Sequence, residues 1–184
     1  HNTDGIGYMH SVIDAGHDII GKKMTLLGAG GAATAICVQA ALDGVSAIDI
    51  FKRKNASWDD TLTFCRKITA ETGCPIRLRD ISDQNALAES ISDSAILTNA
   101  TSVGMAPDTE KSPISDVSMF RKDLIVSDII YNPKETLLLK QAKEAGCPHF
   151  NGLYMLLYQG AAAFTFWTGQ EMPIQLIKEK YFKH

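Results

Sequence analysis

The residues with the clearest chemical content are Gly28-Ala29-Gly30-Gly31-Ala32-Ala33. In a GxGxxA spacing the first glycine permits a tight turn and the second lets backbone approach a pyrophosphate. Ala33 lets a helix pack close to a strand, and the unpaired N–H groups at the helix start attract anions. The segment lies between Lys22–Leu27, a run that ends apolar, and Ala32–Asp43, a small-residue stretch closed by Gly44. That is the strand–turn–helix context in which the motif docks a dinucleotide. An acidic residue about 20 positions after the first glycine commonly holds the adenosine ribose, and Asp49 lies in that window. Asp49 nevertheless falls inside the second strand rather than at its carboxyl end, and we read it as a decoy. At the carboxyl end stand Lys52-Arg53-Lys54-Asn55, whose cations suit a 2'-phosphate through charge-assisted bonds. The other reading of this turn is a solvated basic surface.

Further side chains stand out singly. Asp4, near the start of a helical pattern, lies where the helix field favours a carboxylate and is suited either to acid/base work or, like Thr3, to capping. Gln159 sits in an apolar helical run, where its amide must find a partner, either a ligand or backbone. Tyr131 precedes Asn132-Pro133 at a strand end, on the edge where open α/β sheets bind ligands; its other reading is a packed aromatic with a surface hydroxyl. His10, His17, His149 and His184 are scattered without metal-ligand spacing, and no GxSxG nucleophile motif occurs.

The elements that must position these residues follow from periodicity and breakers. Ile6, Met9, Val12 and Ile13 share one helical face over Asp4–Ala15, and Gly16 stops that helix. After the glycine loop and its helix, Ser46–Phe51 reads as a strand, Ser57–Glu71 as a helix and Ile76–Leu78 as a short strand. Gln84–Ile91 is helical, Ala95–Thr98 and Leu124–Asp128 are strands, Thr136–Ala145 is a helix and His149-Phe150 a last strand. Leu153–Thr168 and Ile174–Lys180 finish the chain as helices, the first so apolar all round that it predicts central burial or a partner. Strands alternating with helices imply an α/β fold: a Rossmann-type, doubly wound parallel sheet with helices on both faces.

Composition sets the bounds. The chain has 184 residues, 45% apolar and 21% charged, with a net charge of -3; this predicts one folded, soluble domain. No run of Lys or Arg suggests a nucleic-acid or membrane-surface partner, and the apolar runs fall short of the roughly 20 residues that span a bilayer. Cys37, Cys65, Cys74 and Cys147 form no CxxC pair and read as reduced thiols of a cytoplasmic protein. The start at His1-Asn2-Thr3-Asp4, without Met or signal pattern, reads as a cut end of a longer protein.

Five ordered segments carry a resemblance. Asn2-Thr3-Asp4-Gly5, the GAGGAA loop, Asn99-Ala100-Thr101-Ser102-Val103-Gly104-Met105, Asp128-Ile129-Ile130-Tyr131-Asn132-Pro133 and Asn151-Gly152-Leu153 through Gln159-Gly160-Ala161 together resemble the shikimate/quinate dehydrogenase family. Phe164-Thr165-Phe166-Trp167-Thr168-Gly169 and the long helix before Cys74 look most like its quinate/shikimate branch. The resemblance implies the carboxyl-terminal NAD(P)-binding domain of an oxidoreductase acting on shikimate, 3-dehydroshikimate or quinate. Asp4 is then the catalytic, substrate-binding carboxylate, paired with a Lys of an amino-terminal domain absent here, so that the chain alone lacks activity. Tyr131 and Gln159 touch substrate, Ser102 contacts the cofactor, and Ile129 and Gly152 line the nicotinamide. Lys52-Arg53-Lys54 favours NADP; the branch often carries an acidic residue favouring NAD near Asn55, which lacks that charge. A non-catalytic dinucleotide-binding or sensing module is the alternative function.

Overall fold

In the computed structural model, residues 2–182 are described; His1, Lys183 and His184 lie outside them. Six parallel strands form one sheet in the order β3-β2-β1-β4-β5-β6. Along the chain, α1 (Asp4–Asp14) precedes β1 (Lys23–Leu27), and α2 (Gly31–Asp43) follows it. Then come β2 (Ala47–Lys52), α3 (Trp58–Thr72), β3 (Ile76–Asp80), α4 (Gln84–Asp93) and β4 (Ile96–Asn99). A 3₁₀ turn (Val117–Met119), β5 (Ile125–Asp128), α5 (Leu137–Glu144), β6 (His149–Phe150), α6 (Leu153–Thr168) and α7 (Ile174–Ile177) complete the order. Strand order reverses direction between β1 and β4, the switch point at which doubly wound sheets bind ligands.

The period-2 alternation of the strands divides the core into two layers. Met24, Leu26, Ile48, Ile50, Ile96 and Ile125 face α1, α2, α3 and α6, meeting Tyr8, Ile36, Cys37, Cys65, Ile68 and Met155. Leu27, Phe51, Leu97 and Val126 face the other way, onto Leu87 and Ile91 of α4 and Leu138, Leu139 and Ala142 of α5. Because both faces are covered, β4 and β5 are buried along their whole length, as parallel strands with helical crossovers require. The edge strand β3 instead exposes or half-exposes Arg77, Leu78, Arg79 and Asp80, which blunts it against further pairing.

Of the two alternatives for α6, central burial does not hold along its whole length, and the helix expected over Ile174–Lys180 needs correction. α6 is not buried throughout: Met155, Leu157 and Ala161 pack inward, whereas Phe166 and Trp167 near its end are 62% and 79% exposed. The segment after Ile174 is α-helical only to Ile177 and then widens into a π-helical turn at Lys178–Phe182. There Lys178 is drawn to Asp14 of α1 and lies 4.6 Å and 5.1 Å from the ring centres of Tyr154 and Tyr158.

Candidate dinucleotide site

At the carboxyl ends of β1, β2 and β4 the chain encloses a cavity of about 730 Å³. Its floor is the glycine loop. Gly28 has φ +104, and a Cβ there would lie 2.7 Å from the carbonyl oxygen of Ala100, so both handedness and space demand glycine. The Gly28 N–H donates to the Phe51 carbonyl at 2.8 Å, joining the loop to β2. Nothing lies within 4 Å of where a Cβ would stand on Gly30 or Gly31, so the space above the start of α2 is open. The first-turn N–H groups of that helix have no acceptor within it and present partial positive charge there. Ala33 is buried against the core, letting α2 lie close to β1.

The wall at the end of β2 is built by a turn whose residues divide their labour. Lys52 is turned onto α3, donating to the Ser57 carbonyl at 3.0 Å, the Ser57 hydroxyl at 2.7 Å and Thr61 Oγ1 at 3.1 Å. Asn55 Oδ1 accepts from the Ser57 N–H at 3.2 Å and its hydroxyl at 3.0 Å, which shapes the turn. Lys54 lies 6.0 Å over the Trp58 ring and does not line the cavity, whereas Lys52, Arg53 and Asn55 do. Of the turn's cations on the cavity lining, Arg53 is the one without a hydrogen bond or ion pair among the described residues. Asp49 is 1% exposed; Lys23 stands 2.9 Å from one of its oxygens, and Ser90 donates to that same oxygen at 2.8 Å. It is a structural carboxylate inside the sheet, remote from the cavity.

The opposite wall rests on buried polar supports. Asn99, fully buried, donates from Nδ2 to the Val103 carbonyl at 3.2 Å and to Asp128 at 3.1 Å, while its Oδ1 accepts from Thr101 N–H at 3.1 Å and hydroxyl at 2.7 Å. Asp128 also accepts from the Ile130 N–H at 3.0 Å and the Thr136 hydroxyl at 2.7 Å. Burial pushes its carboxyl above the usual range, and these donors pull against that shift. The pair ties the loop after β4, with Ser102 on the cavity lining, to the loop after β5, with Ile129 and Tyr131. Gly152 closes on the latter: a Cβ on it would lie 1.9 Å from the Ile129 carbonyl oxygen, and its N–H donates to the Ile130 carbonyl at 3.1 Å.

Asp4 is the first residue of α1, and Thr3 stands at the cap position without a side-chain capping bond. Instead, Thr3 donates to Gln159 Oε1 at 3.3 Å, which answers how the Gln159 amide is partnered. α1 and α6 can cross this closely because Gly7 meets α6, where a Cβ would lie 2.6 Å from the Gln159 nitrogen. The Asp4 N–H donates to Asn2 Oδ1 at 2.8 Å, and no ion pair to its carboxylate occurs among the described residues. Tyr131 is 49% exposed. α1 is anchored from below by Tyr8, whose buried hydroxyl bonds Thr98 Oγ1 at 2.5 Å and Ser127 Oγ at 2.9 Å; burial raises its pKa to about 12.

A family model described as the shikimate 5'-dehydrogenase C-terminal domain matches residues 152–180. Shikimate dehydrogenase (NADP(+)) of Listeria monocytogenes is 52% identical over 182 residues, covering 99% of this chain and 62% of the relative. Quinate/shikimate dehydrogenase of Escherichia coli is 43% identical over 179 residues, covering 97% and 62%. The crystal structure of shikimate 5-dehydrogenase from Listeria monocytogenes, in complex with shikimate and NAD, superposes with a TM-score of 0.94 over 97% of this chain and 62% of that one. Over nearly its whole length the chain is similar to shikimate/quinate dehydrogenases. It spans 62% of the length of these curated relatives.

The chain gathers part of the site that this likeness implies in the cavity and leaves part outside. Gly28, Ala29, Gly30, Lys52, Arg53, Asn55 and Ser102 line it; Gly31, Ala32, Ala33 and Lys54 do not, nor do Ile129, Gly152, Tyr131, Gln159 and Asp4. Sequence reasoning missed Ile81, Asp108, Lys111 and Pro113 on the lining, since only folding brings loops after β3 and β4 to one rim. It also passed over Asn99 and Asp128 as supports, although both open quoted motifs; a polar residue ending an apolar strand was the available signal. No cluster of three or more His, Cys, Asp or Glu suited to a metal occurs among the described residues.

Proposed function

We propose that the chain is the NAD(P)-binding domain of a shikimate or quinate/shikimate dehydrogenase. The reaction is a reversible hydride transfer between a nicotinamide and the ring hydroxyl or ketone of shikimate/3-dehydroshikimate, with quinate as a further substrate. The observation that carries the reading is the cavity joining the Gly28–Gly30 loop to the Arg53 turn. The residues present fit a dinucleotide: the open space over Gly30 and Gly31 faces the α2 N-terminus, the place a pyrophosphate occupies in this loop type. Relatives named for NADP(+) and one solved with NAD and shikimate support it.

In this reading Gly28 to Ala33 hold the pyrophosphate, Lys52 to Asn55 and Ser102 bound the adenosine half, and Ile129 and Gly152 form the floor under the nicotinamide. The bound cofactor supplies or accepts the hydride. Asp4 orients the reacting hydroxyl and, with a lysine supplied by an amino-terminal domain outside this chain, manages its proton. Tyr131 and Gln159 contact the substrate. No lysine pairs with Asp4 among the described residues, which fits a proton relay completed elsewhere. Buried, free cysteines fit a reducing, cytoplasmic setting.

The test is a calorimetric titration of the chain with NAD and NADP at matched ionic strength. Saturable binding of at least one is expected, with the arginine turn favouring NADP; failure of both to bind would sink the reading.

A further inference from the structure

The cavity rim holds a second cation that the glycine loop and the Lys52–Asn55 turn do not account for. Lys111, in the loop after β4, shares the cavity lining with Arg53, Thr101, Ser102 and Gly104. Its backbone passes close to Gly104, where an added Cβ would stand 3.1 Å from the Lys111 carbonyl oxygen. The residues that follow are anchored, since Ser112 donates to Gln141 Oε1 at 2.7 Å and Ile114 is 1% exposed. The side chain is free to swing, being 65% exposed and paired with the equally open Asp108 carboxylate at 2.9 Å. Such exposed pairs contribute little and are readily exchanged. A phosphate entering the rim offers Lys111 a denser negative charge and a stronger charge-assisted bond. Lys52, by contrast, is committed to Ser57 and Thr61.

We propose that Lys111 is a second phosphate-reading cation of this cavity, held in reserve by Asp108 and transferred to a phosphate of the bound dinucleotide. The inference rests on the dinucleotide-binding reading above. Asp108 then acts against the ligand as well as on Lys111, because its own charge repels an incoming phosphate until Lys111 screens it.

The experiment compares dissociation constants of NAD and NADP for the unsubstituted chain, Lys111→Gln, Lys111→Arg, Asp108→Asn and Arg53→Gln, with thermal melting to confirm each fold. Lys111→Gln is expected to weaken binding roughly tenfold, the loss of one hydrogen bond to a charged group, and to flatten its salt dependence. Lys111→Arg should retain affinity and Asp108→Asn should tighten it. A loss confined to NADP places Lys111 on the 2'-phosphate; an equal loss for both cofactors places it on the pyrophosphate. Affinities unchanged by Lys111→Gln while Arg53→Gln weakens them overturn the proposal, and so does weaker binding by Asp108→Asn, which would make Asp108 itself a ligand. If the unsubstituted chain binds neither dinucleotide, the underlying reading fails and the Lys111 proposal falls with it.

Discussion

Within the glycine loop and its neighbouring turn, residues of the same type do different work. Gly28 is constrained twice, by a left-handed φ and by the Ala100 carbonyl 2.7 Å from any added Cβ. Gly28→Ala is therefore expected to cost about 1–3 kcal/mol of stability and to abolish measurable dinucleotide binding; urea denaturation and titration check both. Lys52 and Arg53 are adjacent in sequence, yet Lys52 is bonded to α3 and Arg53 lies open on the cavity wall. Lys52→Met should lower stability by on the order of 1 kcal/mol with a small effect on binding. Arg53→Gln should do the reverse, weakening NADP with little change in the urea midpoint. Equal effects of the two substitutions on both measurements would contradict this division.

Helix α1 is held at its middle and at its carboxyl end, and both ties keep Asp4 in place. One tie is the Tyr8 hydroxyl, bonded to Thr98 and Ser127 of the sheet; Tyr8→Phe leaves Thr98 and Ser127 bonded to each other at 2.8 Å, so a loss of about 1 kcal/mol is expected. The other is the latch of Asp14, Tyr158 and Lys178, in which Tyr158 donates to Asp14 at 3.0 Å. Burial by itself lowers the pKa of the Lys178 ammonium, but hydrogen bonds to Asp14 and Tyr158 outweigh it and the net direction is upward. The folded chain thus holds that proton more tightly than the unfolded one. The latch contributes fully below the unfolded value of about 10.4 and is lost as pH rises through the higher folded value. Melting temperature should fall more steeply above about pH 10 in the unsubstituted chain than in Lys178→Met, which should start lower at neutral pH. Parallel alkaline slopes would remove the latch from the account.

At the scale of the whole chain, the two-layer core leaves Cys37, Cys65, Cys74 and Cys147 free and buried. Burial raises the pKa of each thiol, Cys37 furthest, so little thiolate is present at neutral pH. A disulfide reagent at pH 8 should label the native chain slowly and all four thiols at once in denaturant; a rapid stoichiometric reaction at any of them would place it outside the core. The proposed division of the active site has its own consequence. The purified chain should bind NAD(P) yet form no NAD(P)H from shikimate, because Asp4 lacks a lysine partner among the described residues; robust turnover would require another proton relay.

Hydrophobic alternation and turn chemistry are local, and they made most of this fold legible in the sequence. The Gly28 loop, the helix starting beside it, and strands β1, β2, β4 and β5 follow from periods of two and 3.6 read over a few residues. The place of Asp49 inside β2 was legible for the same reason, whereas its burial and its Lys23 and Ser90 partners were not. The division of roles among Lys52, Arg53 and Lys54 was not legible, because it depends on where α3 brings Ser57 and Thr61. The Arg53–Lys111 rim, the Asn99–Asp128 support and the Thr3–Gln159 bond join residues 58, 29 and 156 positions apart. Such contacts depend on the packing of elements against one another, which periodicity within one element does not encode.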